Sequence, residues 1–481
     1  MRAAGSAILA SSPKVLDHNI GGFTPRVGFS WDVFGKGKTA VRGGFGLFED
    51  QPPYLHITDI TSGNLPNFYD PSDNIRSGTM PNFQLCSKSV GWDEPCPIAD
   101  TSYATIGSNG QLLINGVVQR AGMGGYDPNM KMTQVVAYSL SVQQQFQNNL
   151  IVELNYSATE SHHLESFDPD VNRFAGDLIQ NNGTQQRLNP YFAGTNYACT
   201  CTNSAGNYGT LMATRTYSHG LALQGIYTYG KSLDTMSNAQ TLTEGAFTGG
   251  GDNVIETQNF PFQRGRSDFD IHQQFQAAGT WDVPHNYSSA VVKNILGGWQ
   301  FGGKFIGQTG IPFTVYTGAP FIPTCSIGVA SGSGCPSGTI TGYASNSGDY
   351  NADGTDYDVP NVPSFGRHLS GQSKSQFLKG IFTASSFPQP AFSPNGNEGN
   401  LGRNTYDQPG YKDMDFTFEK YFNVPWFFSE KMKIEAKGEV FNLFNRSNLW
   451  QMDGGLTDST FGTVTNQLPA RYFQLHMRAS F

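Results

Sequence analysis

The chain has 481 residues, of which 38% are hydrophobic, 13% aromatic and only 14% charged, and 57 are glycine; an ordinary globular domain carries roughly 25% charged residues and about 7% Gly. A net charge of −8 without a basic block excludes a nucleic-acid partner, and the absence of any apolar run near 18 residues excludes a membrane-crossing helix. Low charge, many aromatics and a negative mean hydropathy together fit a membrane β-barrel, whose strands turn one polar face to a lumen.

Residues 1–22 open with Met1, Arg2 and an Ala-rich stretch that only weakly matches a signal peptide, because Gly5 and Ser6 interrupt an already short apolar run. They read as a leader or loop remnant of something longer, ahead of a barrel portion at 23–481. From Phe23 onward a period-2 alternation recurs. Val27, Phe29, Trp31 and Val33 alternate with Arg26, Gly28, Ser30 and Asp32; after a turn at 34–38, Val41, Phe45 and Leu47 alternate with Arg42 and Gly44. The pattern returns at 134–146 and 150–157 around Gln147-Asn148-Asn149, at 208–217 and 220–231, and at 271–283 and 298–309. The last three strands are predicted at 412–422, 431–442 and 471–481. Eleven strands result, each near the 9 to 11 residues that cross a bilayer at a tilt.

Connection lengths separate a barrel from a soluble sandwich. Short connections (34–38, 147–149, 218–219, 284–297, 423–430) alternate with long ones (50–133, 161–207, 232–270, 310–411, 443–470). A meander then puts every short turn on one side and every long loop on the other, as in outer-membrane barrels. Aromatics flank the short turns, among them Trp31, Phe34, Phe146, Tyr217, Trp281, Trp299, Phe422 and Trp426, as in an interfacial girdle. The predicted fold is all-β, an antiparallel up-and-down transmembrane barrel in part. On its polar faces, a simple closure of the 423–429 turn sets Asp415 opposite Lys437 and Glu419 opposite Lys433, pairs worth about 0.2–1 kcal/mol each in a wet lumen.

Six cysteines fall in the long loops as three local pairs. Cys86 with Cys96, and Cys325 with Cys335, each enclose a Pro-, Gly- and Ser-rich stretch of the kind stapled by disulfides in an oxidising compartment, with unpaired thiols as the alternative. Cys199-Thr200-Cys201 is read as too short for a relaxed disulfide and receives no role.

Several segments together resemble the C-terminal half of the barrel of TonB-dependent outer-membrane receptors of the Oar-like group. They are Phe23-Thr-Pro-Arg-Val-Gly-Phe, Thr39-Ala-Val-Arg-Gly-Gly-Phe-Gly, Ser267-Asp-Phe-Asp-Ile-His, Gly297-Gly-Trp-Gln, Gly310-Ile-Pro-Phe-Thr-Val, Gly402-Arg-Asn-Thr, Gly438-Glu-Val-Phe-Asn-Leu-Phe-Asn and the terminal Phe481. The resemblance implies a barrel of 22 strands around an N-terminal plug, energised uptake of a bulky solute, and contact with the TonB complex through that plug. Plug, TonB box and about half of the strands are not in this sequence, so it reads as a fragment or as a half that pairs with another chain, since lipid cannot satisfy an open sheet edge. The final strand, with Phe473, Leu475, Met477 and Phe481 alternating, resembles the signal by which the barrel assembly machinery receives its substrates.

Other chemistry is sparse. Asp349, Asn351, Asp353 and Gly354 match the opening of a Ca²⁺ loop, but position 12 is Pro360 rather than a bidentate Glu; a solvated acidic loop is the other reading. His162 and His163 are adjacent, point to opposite sides of an extended chain and read as a solvated loop pair. Gly43-Gly-Phe-Gly46 lies in a strand with no helix after it, so barrel-wall packing explains it better than phosphate binding. No catalytic set and no organic cofactor is expected, and the chain reads as a non-enzyme. Its partners are outer-membrane lipid, the assembly machinery and an unidentified solute. Two other readings stand beside the receptor: a passive porin-like or pairing half-barrel, and a secreted soluble β-protein that binds carbohydrate.

Overall fold

The computed structural model describes residues 22–50, 104–106, 112–114, 117–119, 121–127, 130–166, 174–180, 184–187, 192–237, 264–284, 288–289, 292, 295–317, 323–325, 340–343, 350, 358–369, 371–390, 399–426 and 429–480. Eleven long strands form its frame: β1 Arg26–Asp32, β2 Thr39–Asp50, β3 Thr133–Gln145, β4 Leu150–Ser166, β5 Phe192–Ser218, β6 Leu221–Asp234, β7 Gln273–Asp282, β8 Trp299–Gln308, β9 Tyr411–Trp426, β10 Ser429–Phe441 and β11 Tyr472–Ser480. Each is hydrogen-bonded antiparallel to its chain neighbour, so spatial order follows chain order, and β1 and β11 are the two ends of one curved sheet.

The alternation fixes the faces. Following the register outward from Trp31, the partners Val41, Val142, Leu154, Leu211 and Tyr227 share one side of the sheet. That side continues through Phe275 on β7 and, on β9 to β11, through Phe416, Val440 and Phe473. It is the lipid face: Leu154 is 59% exposed and Leu475 80%. Residues between them face the lumen and are largely polar, with Met212, Ile226 and Ile306 among the exceptions. Glycines on the wall sit beneath aromatic rings; a Cβ at Gly43 would strike the ring of Phe29 on β1, and one at Gly438 the ring of Phe418 on β9. The Gly43-Gly-Phe-Gly46 run is therefore wall packing.

Aromatics near the short turns are exposed at the predicted girdle, including Trp31 (57%), Tyr217 (60%) and Trp281 (45%). Trp281, Phe301 and Trp299 stack with ring centroids 6.0 Å apart.

The structure departs from expectation in four places. The β4–β5 hairpin runs far beyond the membrane, pairing Cys199 with Ser166 and Ser204 with Ser161, so much of the predicted loop 161–207 is strand. His162, opposite Gln134, belongs to that strand rather than to a loop. Part of this extension pairs with Ala121–Tyr126 in parallel, the one departure from antiparallel order in the main sheet among the described residues. Cys199 and Cys201 are joined by a disulfide, which their spacing argued against; the extended backbone holds their Cα atoms 5.3 Å apart, inside the range a disulfide spans.

The fourth is register. β9 and β10 continue to Trp426 and from Ser429, with an irregularity between Val424 and Trp426, so the hairpin closes later than the predicted 423–429 turn. Lys437 consequently lies opposite Glu419, not Asp415, and Lys433 opposite Asn423. The shift is even, so the charges keep the lumen face.

Candidate functional site

Three motif segments far apart in the sequence meet on the side of the long connections. Segment 264–272 follows β6, segment 310–315 follows β8, and segment 399–410 leads into β9. Arg403 is their centre. Its guanidinium is paired with the carboxylate of Asp234 at the end of β6 and contacts Asp268 at 3.2 Å, and it donates to the Asp234 carbonyl at 3.1 Å. Asn404, in the left-handed region at φ 53°, donates from Nδ2 to the Arg266 carbonyl (2.7 Å) and to Asp268 (2.5 Å), and its backbone N–H donates to Thr314 Oγ1 (3.0 Å). Arg266 bridges Asp270 (2.7 Å) and Asp407 (2.6 Å), while Asp270 accepts from the Ser232 backbone N–H at 2.7 Å.

Away from Asp407, whose side chain reaches solvent, this knot is dry: Asp270 and Ser267 are fully buried, Asp234 and Asn404 2% exposed, Arg403 8%. Buried charge is tolerated when it is paired and multiply hydrogen-bonded, as here, and a planar guanidinium serves several acceptors at once. The knot ties the end of β6 to the long loop ahead of β9.

Beside it the two largest described loop regions fold together. Phe313, Val315, Val359, Phe377, Phe382, Phe387, Leu401 and Tyr406 from the connection between β8 and β9 pack with Leu449, Met452 and Phe461 from that between β10 and β11. The ring of Phe382 lies 4.8 Å from that of Tyr406 and 5.2 Å from that of Phe387, the latter edge to face. A six-residue helix, Lys374–Lys379, with a capping box between Ser373 and Gln376, places Phe377 in this core. Tyr406 donates to the Gly366 carbonyl at 2.8 Å, and burial pushes its phenol up to about 12. The cap is thus a folded body with its own core, not a pair of solvated loops.

Below it the lumen face is polar. A concavity of about 700 Å³ is lined by Thr214, Gln224, Thr280, Lys304, Asp415 and Thr417. Lys304 and Asp415 are register partners, and further round the wall Lys437 pairs with Glu439 (2.7 Å) and Glu439 with His476 (3.0 Å). Such a wall can coordinate water and a polar solute; among the described residues it assembles no cluster of three metal-ligating side chains.

Of the residues singled out from sequence, Phe473, Leu475 and Met477 lie together on the lipid face of β11, 67%, 80% and 80% exposed. Phe481, Asp349, Asn351, Asp353, Cys86, Cys96 and Cys335 lie outside the described residues, as does the side chain of Cys325. Asp234, Arg266, Asp268, Asp270 and Arg403 were missed as a set. The only signal was that Ser267-Asp-Phe-Asp and Gly402-Arg-Asn-Thr are two of the segments that carry the family resemblance.

A tilted antiparallel meander with an apolar outer face, a wet inner face and one-sided long loops defines the wall of an outer-membrane barrel. Residues 2–474 match the family model described as outer membrane beta barrel domain, and the chain belongs to that family, which places it in the bacterial outer membrane. No curated protein matches it. Solved structures that are similar include the outer membrane transporter YddB from Escherichia coli (10% identity, 94% of this chain and 40% of that one, TM-score 0.43). The ferric enterobactin receptor PfeA from Pseudomonas aeruginosa gives 8% identity, 95% and 40% coverage and a TM-score of 0.38. The ferric preacinetobactin receptor BauA from Acinetobacter baumannii gives 10%, 94%, 36% and 0.34. The chain thus spans at most two fifths of the length of these three proteins.

Proposed function

We propose that the chain forms part of the wall and the external cap of a receptor that takes up a bulky solute by energised, TonB-dependent transport. The observation that carries this reading is the cap. A passive pore gains nothing from external loops folded around a dry aromatic core and pinned to a strand end by a buried ion knot. A receptor does, because a preformed surface loses less conformational entropy when solute binds. Three of the motif segments shared with Oar-like receptors, those at Ser267, Gly310 and Gly402, contribute side chains to the knot. In this reading TonB acts through a plug, the assembly machinery receives the chain through β11 and Phe481, and the segment around Asp349, Asn351 and Asp353 is open to Ca²⁺.

The test is transport in cells carrying the gene in its natural context. Uptake that stops when a protonophore collapses the proton-motive force, with closed behaviour in planar bilayers, supports the receptor. Steady ion conductance by the purified protein, or uptake indifferent to the protonophore, would establish the passive porin instead.

A further inference from the structure

The outer face carries a trough that nothing in the proposed transport requires. Leu150, Arg215, Leu223, Gly279, Gly303 and Phe416 are successive register partners across β4 to β9, all on the lipid side. Phe416 stands at one edge and Leu223 at the other, its side chain leaning over Gly279, while the place of a Cβ at Gly303 meets nothing nearer than a backbone oxygen 3.8 Å away. Ala277 on β7 and Ala213 on β5 keep the neighbouring row low. The result is a cavity of about 670 Å³, some three strand spacings or roughly 14 Å across.

One residue in this apolar row is out of place. Arg215 lies on β5 just before the short turn at His219 and Gly220, hence at the periplasmic edge of the membrane, and it lines the trough. A cation on the lipid face costs about 2–4 kcal/mol at the midplane and less near the interface, where it reaches the headgroups. Its Nε is buried and has no hydrogen-bond partner among the described residues. Lys420 shows the contrast. It too sits on the apolar face near a short turn, but its Nζ is taken up by the carbonyls of Ile295 and Gly297 and lies 5.2 Å from the Trp299 ring. The protein satisfies one cation of this belt and leaves the Nε of the other buried without a partner, so that the Nη end of the Arg215 guanidinium is what the trough offers to a ligand.

We propose that the trough is a binding site for a phospholipid of the periplasmic leaflet, with its phosphate on the Arg215 guanidinium and an acyl chain laid over Gly303 between Leu223 and Phe416. A phosphate is the anion present at that depth. A forked guanidinium matches it bidentately, and the missing side chains admit a chain closer to the wall than lipid elsewhere can come.

Native mass spectrometry of the folded protein, extracted in detergent and incubated with dioleoyl-phosphatidylglycerol, tests this. One lipid should survive activation that strips the remainder. R215Q should lower its retention about tenfold, the scale of one charge-assisted contact, and G303L, which fills the trough and leaves the cation, should lower it too. Heat-modifiable gel mobility confirms that each variant is folded; if G303L fails to fold, A277L serves. Retention unchanged in R215Q, retention unchanged when the trough is filled, no retained lipid in the wild type, or a second copy of the chain bound in place of lipid would each overturn the proposal.

Discussion

Arg403 and Asp234 stand 169 positions apart in the chain and form an ion pair in which both side chains are almost wholly buried. The pair joins the end of a membrane strand to a loop that begins two strands later in the chain, so it acts as a tie between barrel and cap. Truncating one partner leaves the other buried and uncompensated, which costs about 3–5 kcal/mol. R403A is expected to expose residues 371–390 to protease added to intact cells while the barrel itself stays folded by gel mobility. R403K keeps the charge but loses the fork, and should protect only partially; equal resistance of R403A and wild type would show that the cap does not depend on the tie.

The β9–β10 register gives a direct test. Cysteines at 419 and 437 are expected to crosslink under mild oxidation, because Glu419 and Lys437 are opposite one another. Cysteines at 415 and 437 are not. The reverse result would restore the shorter hairpin suggested by the sequence.

Tyr406 reports on the cap by titration. Burial raises its phenol to about 12, so the folded cap binds this proton more tightly than the unfolded chain, whose Tyr ionises near 10. Stability from this group is therefore complete below pH 10 and falls as pH rises from 10 towards 12. Y406F should remove that alkaline loss, at a cost near neutrality of about 1 kcal/mol for the bond to Gly366. Chemical unfolding followed at pH 8 and pH 11 separates the two effects.

Lys420 secures the turn between β7 and β8. K420M would leave the carbonyls of Ile295 and Gly297 without this donor while preserving the packing stem, and should lower the urea midpoint of the detergent-refolded protein by an amount equivalent to about 1–3 kcal/mol. An unchanged midpoint would mean that water replaces the ammonium without loss.

Much of the frame was legible because alternation is a local signal. Phe416 and Phe418 against Asp415 and Thr417 declare two faces wherever β9 pairs. The face of Lys437 was legible for the same reason, but its partner was not, since the Val424–Trp426 irregularity depends on how the whole hairpin closes. The β4–β5 extension escaped because Ser161, Thr202 and Ser204, polar on both faces, carry no period once the strands leave the bilayer. The cap escaped for a different reason. Phe313, Phe382 and Phe461 have no shared spacing and meet only through tertiary contact, and nothing about Asp234 alone announces an arginine far along the chain.

The cap also sets an order of events. Phe313 precedes β9 in the chain and Phe461 follows β10, so their common core cannot close until both strands have been laid into the sheet and the intervening turn has reached the periplasm. Contacts of such long separation form late. Closure of the aromatic core outside the cell therefore comes after insertion of this hairpin, and once formed it acts as a latch: withdrawing β9 or β10 would require breaking a core that lies on the far side of the membrane.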